Sequence, residues 1–334
     1  MNQKPIVVLG TRSDVHVARV ADRLEELGCR DVIVIDYHAG TTFSLELDRE
    51  ANRVLKVDGR TIPTDCVVWD KTKILPGTHY YIRGGDESTQ GYAAQEWRAY
   101  YALLNAFGGE NSVNCLRSRF CLIKPYQQTV AASVGLPVPA TLVSNYKDDI
   151  SAFQARSQQM IMKSLSGAKV SPRGEGEYVP YVVMTMRIPP EDIAAAEPES
   201  FTFCPHFVQE EIAKAYELRV VVVGHRVIPF RIESQRFQST QVDWRKATDL
   251  NEFSRCELDA VLVQKILAFM DRMGLSSGSL DFVVDKDGET WFLECNHDGV
   301  WAWLDDLVQG EVTDAFAHDL LNRSNMDRPQ PLAA

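Results

Sequence analysis

The chain has 334 residues, of which 45% are apolar and 24% charged, and a formal net charge of −11. This composition is ordinary for a folded soluble protein, and the negative charge, without any run of Lys or Arg, argues against duplex DNA or another polyanion as the partner. A chain of this length exceeds what one hydrophobic core usually serves, so we expect two or three subdomains around a shared cleft.

The cysteines and the N-terminus both indicate a cytoplasmic protein. Seven cysteines are scattered singly with no Cys-x-x-Cys pair, which favours free thiols in a reducing compartment over disulfides or a zinc site. The opening stretch MNQKPIVVLG lacks the apolar region and cleavage site of a signal peptide. No segment approaches the roughly 20 apolar residues that span a bilayer, so we expect no membrane partner.

Residues 1–115 are predicted to form a small α/β domain. The stretches PIVVLG, VARVADRLEELG and DVIVIDY predict strand, helix and strand, the unit of a parallel sheet. The turn GTRS after the first strand lacks the G-x-G-x-x-G pattern, so it supports a dinucleotide site only weakly. RVLKVDGRTI predicts a hairpin around Asp58 and Gly59, DCVVWD a further strand, and YAAQEWRAYYALLNAFGG a helix that ends at paired glycines.

The remaining chain predicts a central subdomain over 116–206 and a C-terminal subdomain over 207–330. In the former, IKPYQQTVAASVGLPVPATLVS indicates helix then strand, and QQMIMK a strand that ends at Lys163 before a loop rich in Gly and Ser. In the latter, FVQEEI, LRVVVVGHRVIPFRIES and SLDFVVDKDGETWFLECN are strand patterns around one helix, LDAVLVQKILAFMDRMG. This order indicates an α/β domain followed by antiparallel α+β material.

The strand pair SLDFVVDKDGETWFLECN carries an unusual set of polar residues. If Asp287 and Gly288 form a two-residue hairpin loop, counting outward puts Asp281 directly opposite Glu294, on one face with Asn296. The other face then carries Leu280, Phe282, Trp291 and Leu293. Two carboxylates directly across a ladder repel each other, so a cation is expected between them. Carboxylate and amide oxygens suit magnesium, whereas the alternative is a surface hairpin whose acids are merely solvated.

A magnesium–nucleotide site also needs cations for the phosphates and an edge for the base. Lys163, at the end of the strand MIMK, and Lys124, in LIKPYQ, are candidates for the cations. The strand end FVQEEI offers Gln209, Glu210 and Glu211, whose backbone amides and acids suit adenine and ribose. Lysines at strand ends are more often solvent-facing, and the acidic pair fits a solvated hinge equally well.

Four stretches together resemble the ATP-grasp enzymes, and among them the ribosomal peptide maturases of the microviridin, or graspetide, type. They are IKPYQQTVAASVGLPVPATLVSN, FVQEEIAKAYELRVVVVG, ESQRFQSTQVDWRK and SLDFVVDKDGETWFLECNHDGVW. The resemblance begins near Glu96 and depends on the order and spacing of the stretches rather than on any one of them. It implies an ATP-grasp fold with an N-terminal pre-ATP-grasp α/β domain, a central domain and a C-terminal antiparallel-sheet domain.

The resemblance implies ATP and Mg²⁺ as cofactors and assigns residues to the nucleotide. Lys124 and Lys163 are similar to the two ATP-binding lysines of the family. The loop 164–169, which includes Ser166 and Gly167, resembles the flexible cover over the phosphates.

The same resemblance assigns a hinge and a catalytic arginine. Gln209, Glu210 and Glu211 resemble the hinge that holds adenine and ribose. Arg219 is similar to the arginine that reaches the γ-phosphate or the acyl phosphate, and Lys163 is expected to act with it during catalysis.

Metal and substrate residues complete the set. Asp281, Glu294 and Asn296 are similar to the magnesium triad of the family, in agreement with the hairpin argument. Asp243 and Arg245, in VDWR, resemble a D-x-R element associated with the acidic acceptor of the core peptide.

The chain departs from the family after the triad glutamate. The family usually has Asn-Pro here, whereas Asn296 is followed by His297 and Asp298, and Cys295 replaces a common aliphatic residue. Metal binding is expected to survive both changes, but the changes put the identity of the substrate in doubt. His297 either contacts the acceptor or acts as a base, or it simply caps the strand.

The resemblance implies an ATP-dependent carboxylate ligase. Such an enzyme converts an Asp or Glu side chain of a ribosomal precursor peptide, made of a leader and an acidic core, into an acyl phosphate and joins it to a Thr, Ser or Lys side chain as a macrocyclic ester or amide. A homodimer is implied by the resemblance alone. The alternative is an ATP-grasp ligase that joins a small-molecule carboxylate to an amine or amino acid.

Two other classes compete with a ligase. GLSSG at 274–278 matches G-x-S-x-G, but a serine hydrolase needs strand, turn and helix in that order, and here a helix precedes and a strand follows. A nucleotide-dependent binding protein without turnover is disfavoured by the combined lysines, arginine and metal ligands, since a scaffold has no need of γ-phosphate chemistry.

Overall fold

Short strands and helices follow one another along the whole described chain. The computed structural model describes residues 3–36, 41–50, 53–63, 65–71, 87–108, 111–114, 123–165, 169–170, 181–182 and 184–325. The strands are β1 (Ile6–Leu9), β2 (Val32–Ile35), β3 (Phe43–Leu47), β4 (Arg53–Val57), β5 (Arg60–Ile62), β6 (Val67–Asp70), β7 (Thr141–Ser144), β8 (Met160–Lys163), β9 (Lys169–Val170), β10 (Tyr181–Val182), β11 (Met186–Arg187), β12 (His206–Glu210), β13 (Lys214–Val223), β14 (Arg226–Ile232), β15 (Phe253–Arg255), β16 (Ser277–Asp285) and β17 (Thr290–Asn296). The helices are α1 (Val15–Glu26), α2 (Glu87–Gly108), α3 (Lys124–Ser133), α4 (Lys147–Arg156), α5 (Pro190–Ala195), α6 (Pro198–Thr202), α7 (Ala260–Met273), α8 (Ala302–Asp305) and α9 (Glu311–Asn325), with 3-10 segments at Trp244–Leu250 and Asp306–Val308. No helix among these described residues is long and apolar enough to cross a membrane.

The N-terminal part contains the predicted strand, helix and strand. β1, β2 and β6 form a parallel sheet in the order β2-β1-β6, and α1 begins after Asp14, whose side chain accepts the N–H of His16. β3, β4 and β5 form a small antiparallel sheet. The β4–β5 hairpin turns at Asp58 and Gly59, both with positive φ (48° and 76°), as the predicted Asp-Gly turn requires.

The central sheet is antiparallel and forms one wall of a cleft. Its strand order is β11-β8-β12-β7, and β12 pairs with both β7 and β8. The boundary predicted at 206 therefore falls on the first residue of β12, a strand that belongs to this sheet. After β12, residues 211–213 connect this sheet to β13. Apolar residues of α4 and α6, including Phe153 and Phe201, cover the face away from the cleft.

The C-terminal sheet is also antiparallel, in the order β15-β14-β13-β16-β17. Its face away from the cleft packs against α3 and α7, around Phe282 and Phe292. The last helix, α9, returns to the N-terminal part and packs on α1 and β6. Trp69, Trp301 and Phe316 lie in one apolar core there, so the first and last parts of the chain are stabilised together.

The β16–β17 hairpin has the predicted pairing, but its loop is longer than predicted and its second strand contains a bulge. Asp281 lies opposite Glu294, as predicted. The loop, however, has three residues, 286–288, rather than two, because Asp285 still pairs across the hairpin (N–H···O 3.0 Å). A β-bulge at Leu293 inserts one residue into the second strand and restores the register.

The bulge changes which apolar residues face the core. Phe292, opposite Phe282, is completely buried. Leu293 lines the cleft instead, and Trp291 pairs with Val283, which also lines the cleft. The expectation that Trp291 and Leu293 share the face of Phe282 is wrong, because strict alternation does not hold across a bulge.

Alanine substitutions on either side of the bulge test this register. Phe292→Ala should lower the free energy of unfolding by about 3–5 kcal/mol, because it empties a completely buried site. Leu293→Ala should cost less than half as much, because Leu293 is only partly buried and borders the cleft. Urea denaturation followed by circular dichroism measures both. A larger loss for Leu293→Ala than for Phe292→Ala would contradict the bulge.

Candidate active site

A cleft between the central and C-terminal sheets collects most of the predicted site residues. Its empty volume is about 680 Å³ with the open solvent at its mouth included. The predicted residues that line it are Lys124, Lys163, Gln209, Glu210, Glu211, Asp243, Arg245, Asp281 and Glu294. Arg219 and Asn296 adjoin it through their contacts with Asp281. Ser166 and Gly167 lie outside the described residues.

Two carboxylates face each other in the cleft. Asp281 and Glu294 are paired across β16 and β17, and their side chains are only 14% and 15% exposed. Arg219 Nη1 lies 2.9 and 3.0 Å from the two Asp281 oxygens, and Lys124 Nζ lies 3.1 Å from Glu294. Arg219 and Lys124 therefore each place positive charge against one of the two carboxylates, while the cation expected between the carboxylates stays a prediction. Asn296 Nδ2 lies 3.5 Å from Asp281 and 3.4 Å from Glu294.

The two carboxyl groups have pKa values shifted in opposite directions. Burial raises the pKa of Asp281, while Arg219 opposes this rise and the facing Glu294 adds to it. Burial also disfavours the ionised form of Glu294. The nearby cations outweigh the effect of burial and lower the pKa of Glu294, with the largest contributions from Lys124 and Lys163. A further cation close to Asp281 would favour the ionised form of both groups.

The chemistry of Asp281, Glu294 and Asn296 fits a magnesium ion. Mg²⁺ is usually held by one or two carboxylates and keeps several waters, which matches two carboxylates and one amide. Among the described residues, no three His, Cys, Asp or Glu side chains converge in a way that could hold a metal. The Asn296 amide nitrogen faces the carboxylates here, and half a turn of the amide group would present its oxygen instead.

Both predicted lysines lie in the same cleft as the carboxylates. Lys163 projects from β8 and donates to Gln209 Oε1 at 2.9 Å. Burial lowers the pKa of Lys163 to about 8, with Glu294 acting in the opposite direction. Lys124, at the start of α3, also donates to the Ser164 carbonyl (3.0 Å) and so ties this helix to the end of β8. A bound polyanion would meet two ammonium groups at once.

The predicted hinge is largely occupied by its own hydrogen bonds. Gln209 is buried in the cleft, whereas the carboxylate of Glu210 accepts the Ala140 N–H (2.9 Å) and that of Glu211 pairs with Arg187 (2.6 and 2.7 Å). The N–H groups of Glu210 and Glu211 donate to carbonyl groups of the protein. The N–H groups of Glu210 and Glu211, which the sequence suggested for adenine, are therefore already bonded within the protein.

Asp243 and Arg245 form a tightly held pair that lines the cleft. The Asp243 carboxylate accepts from Arg245 Nε (2.8 Å) and Nη2 (2.7 Å) and from the Thr185 N–H (3.2 Å). Burial acts to raise the pKa of Asp243, but the hydrogen bonds and charge of Arg245 lower it to about 2. The same contacts raise the pKa of Arg245. A permanent positive charge of fixed orientation therefore lies in the same cleft as the carboxylate pair.

Lys214 and Glu217 are cleft residues that the sequence patterns did not identify. Their side chains pair at 2.7 Å and are almost completely buried. A β-bulge at Ala215 puts them on the same side of β13, whereas strict alternation places residues three apart on opposite faces. Lys214 also donates to the Val242 carbonyl (3.1 Å), next to Asp243. Their charges, close to Arg219 in a strand that otherwise consists mainly of apolar residues, were the available signal.

His297 lies outside the set of described residues that line the cleft. Its Nε2 is 2.8 Å from Asp298 Oδ2. His297 borders a smaller pocket, with an empty volume of about 310 Å³ including open solvent, whose lining also includes Trp69 and Lys71 of the N-terminal part. This position favours a structural role after β17 over contact with a ligand in the main cleft.

The GLSSG segment forms the turn from α7 to β16. Gly274 ends the helix with φ 64°, and the Ser276 N–H donates to Asn114 Oδ1 at 2.9 Å. A nucleophile elbow needs strand, turn and helix, whereas this segment is helix, turn and strand. The segment therefore does not have the geometry of a serine hydrolase.

The lowered pKa of Lys163 predicts unusual reactivity. About half of its side chains are neutral near pH 8, whereas ordinary lysines, with a pKa of about 10.4, remain protonated there. An amine-directed acylating reagent should label Lys163 with a midpoint near pH 8, well below the midpoint of free Nα-acetyl-lysine. Peptide mass spectrometry after labelling over a pH series measures the profile of Lys163, and the free amino acid labelled in parallel is the control. A midpoint for Lys163 that equals that of the free amino acid would contradict the lowered pKa.

Known proteins resemble this chain in structure but not detectably in sequence. No protein-family model matches the chain, and no curated protein matches it in sequence. Solved structures, in contrast, match nearly its whole length. The RiPP-associated ATP-grasp ligase of Chryseobacterium gregarium, solved with ADP and a leader and core peptide, is 23% identical with a TM-score of 0.83, covering 96% of this chain and 97% of that one.

Two further structures support the same arrangement. Macrocyclase MdnC of Microcystis aeruginosa MRC, solved with precursor peptide MdnA, is 24% identical with a TM-score of 0.76, covering 96% of this chain and 99% of that one. ATP-grasp ligase PsnB, complexed with a minimal precursor, is 20% identical with a TM-score of 0.78 and the same coverage of 96% and 99%. The chain therefore has the ATP-grasp fold that its sequence predicted.

Proposed function

We propose that this chain is an ATP-dependent ligase that activates an Asp or Glu side chain of a ribosomal precursor peptide and joins it to a Thr, Ser or Lys side chain of the same peptide. The observation that carries the proposal is the convergence of three features in one cleft of an ATP-grasp fold. They are the facing carboxylates Asp281 and Glu294, the Lys163 ammonium, and the pair Asp243 and Arg245. The C. gregarium ligase and MdnC, of the same fold, were solved with peptides of this kind.

ATP and Mg²⁺ are the proposed cofactors. PsnB has been solved with Mg and ADP, and the cleft offers matching groups. Lys124 and Lys163 would hold the phosphates under the loop 164–169, and the hinge at 209–211 would border adenine and ribose. Asp281, Glu294 and Asn296 would hold Mg²⁺, which when bound neutralises and orients the phosphates for transfer.

The proposed reaction has two steps. The peptide carboxylate attacks the γ-phosphorus of ATP, the bond to ADP breaks, and an acyl phosphate forms. A hydroxyl or amine of the same peptide then attacks the acyl carbon and loses its proton as phosphate leaves. Arg219, which is held by Asp281, and Lys163 would supply positive charge to the transferred phosphoryl group. A closed loop would protect the acyl phosphate from water.

The wider organisation follows from the same proposal. Three subdomains are supported by the separate sheets, with the second boundary moved from 206 to the segment 211–213. The leader of the precursor would bind along the central domain, away from the chemistry.

A reducing, cytoplasmic location is supported by the free thiols of all five described cysteines. A homodimer is supported by the sequence resemblance alone.

Co-expression with an acidic, Thr-rich precursor peptide tests the function directly. The peptide should lose one or more whole water masses, because each new ester or amide bond removes the elements of one water from the peptide, the oxygen leaving with phosphate. Glu294→Ala should abolish the loss, because it removes a proposed metal ligand. Glu289→Ala is the matched control, since Glu289 is an exposed acid on the same hairpin. Intact-mass spectrometry of the peptide is the measurement.

The negative outcome separates the alternatives. An unchanged peptide mass with intact ATP binding would contradict the peptide ligase and favour a ligase for a small-molecule carboxylate, which would use the same nucleotide site. ATP turnover that no acceptor increases would instead indicate a binding protein without ligase activity.

Arg245→Lys tests the role of the arginine in peptide recognition. Lysine keeps the charge but loses the planar fork that Asp243 orients. We expect kcat/KM for the peptide to fall about 10- to 100-fold, with the KM for ATP nearly unchanged. Steady-state kinetics with each substrate varied in turn provide the measurement, and Arg255→Lys, outside the cleft, is the control. An equal loss for both substrates would contradict a peptide-specific role.

A further inference from the structure

The residues that follow Asn296 form an irregular loop, 297–302, which ends in the first residue of α8. Backbone polar groups outside strands and helices need other partners when they are buried. Side chains from the first 115 residues provide many of these partners, although no described residue that lines the cleft comes from before Lys124. Among the described residues, the N-terminal part reaches the site through this loop and through β16, the strand that carries Asp281.

Lys71 holds the middle of the loop. It follows β6 directly, is 5% exposed, and donates from Nζ to the carbonyls of Asp298 (2.9 Å) and Gly299 (3.2 Å). A buried ammonium group is costly unless polar groups surround it. A shift of the loop away from Lys71 would remove two of the oxygens that stabilise this charge.

His16 holds the end of the loop. It is 2% exposed, and its Nε2 faces the N–H groups of Trp301 (3.0 Å) and Ala302 (3.2 Å). Because both neighbours are donors, Nε2 must carry the lone pair, and the ring proton belongs on Nδ1, 2.7 Å from Asp14. The ring also packs edge-on against Trp301, with centroids 4.8 Å apart.

Asn114 joins the start of the loop to β16. Its Nδ2 donates to the carbonyls of Ser277 (2.9 Å) and His297 (3.3 Å), and its Oδ1 accepts the N–H of Ser277 (3.0 Å). A residue of the N-terminal part thus bonds both to the loop and to the strand that carries Asp281.

The loop in turn contacts both Asn296 and Arg219. The Gly299 N–H donates to the Asn296 carbonyl (3.1 Å), and the Val300 carbonyl accepts from Arg219 Nη2 (3.3 Å). The loop also packs closely on β16, because a Cβ built on Gly299 would lie 2.2 Å from Ser279 Oγ. Displacement of the loop would therefore displace the proposed metal ligand and the proposed catalytic arginine.

We infer that Lys71 and His16 are positioning residues for the proposed metal site, because they fix the loop 297–302 and thereby the orientation of Asn296. The inference rests on the proposed function in taking Mg²⁺ and a nucleotide as the ligands of the cleft. It gives the N-terminal part a defined task in the active site, which is to hold a metal ligand that it does not itself provide.

Lys71→Met provides the first test, because methionine keeps the apolar stem and removes the ammonium group. The Mg²⁺ concentration needed for half-maximal binding of a fluorescent ATP analogue should rise about 10- to 100-fold. Affinity at saturating Mg²⁺ should stay unchanged, because the hinge is untouched. Amide hydrogen exchange in the peptide covering 297–302 should become faster. Lys4→Met is the matched control, since the Lys4 ammonium pairs with Asp65 (3.3 Å) and not with the loop.

Two substitutions of His16 separate positioning from packing. His16→Gln places an amide oxygen near the position of Nε2, so it should retain slow exchange in the loop and the Mg²⁺ requirement of the parent protein. His16→Leu fills the space without an acceptor, so it should behave like Lys71→Met. Rescue by glutamine but not by leucine is a result that a purely structural role would not produce.

The outcomes that overturn the inference are distinct. Unchanged Mg²⁺ titrations for Lys71→Met and His16→Leu, in proteins with the Tm of the control, would overturn it. An equal loss of nucleotide affinity at every Mg²⁺ concentration would also overturn it, because that indicates general loosening. A parent protein that binds the Mg²⁺–nucleotide but modifies no peptide would remove the peptide ligase and leave the inference standing, whereas nucleotide binding indifferent to Mg²⁺ would remove both.

Discussion

The repulsion between Asp281 and Glu294 is the constraint on which the rest of the cleft depends. Antiparallel pairing puts the two carboxylates directly opposite each other with little exposure to water, and such an arrangement persists only where positive charge surrounds it. Arg219 and Lys124 supply that charge in direct contact. A strand pair that carries this pattern therefore requires cationic residues from several other elements, which is the requirement of a phosphate and metal site.

Two β-bulges give the cleft its chemical lining. The bulge at Leu293 compensates for the longer hairpin loop, so that Glu294 still faces Asp281. The bulge at Ala215 brings Lys214 to the cleft side of β13. Each bulge adds one residue and so reverses the face of every residue beyond it. The proposed chemistry thus depends on local irregularities in otherwise regular strands.

Among the described residues, those of the N-terminal part hold a loop beside the cleft and do not line the cleft itself. Its core is continuous with that of α9, through Trp69, Trp301 and Phe316, so the loop 297–302 lies between two surfaces that cannot separate without exposing apolar area. Apolar packing alone does not fix the orientation of the loop, and the hydrogen bonds from Lys71 to its carbonyl groups do so. A residue that does not contact the metal or the nucleotide can in this way fix the position of a proposed metal-coordinating residue.

The sequence by itself determined the N-terminal strand–helix–strand unit and the hairpin around Asp287 and Gly288, because alternation and turn residues are local properties of a single chain, and its resemblance to the ATP-grasp enzymes implied the fold. The pairing of Asp281 with Glu294 was predicted as well, but the three-residue loop and the bulge that together produce it were not. The tertiary structure alone decided the positions of Leu293 and Lys214, since a bulge reverses alternation without a clear sequence signal. It alone also brought His16 onto the loop at 297–302, because the sequence pattern of a helix start contains no information about which distant backbone groups it will meet.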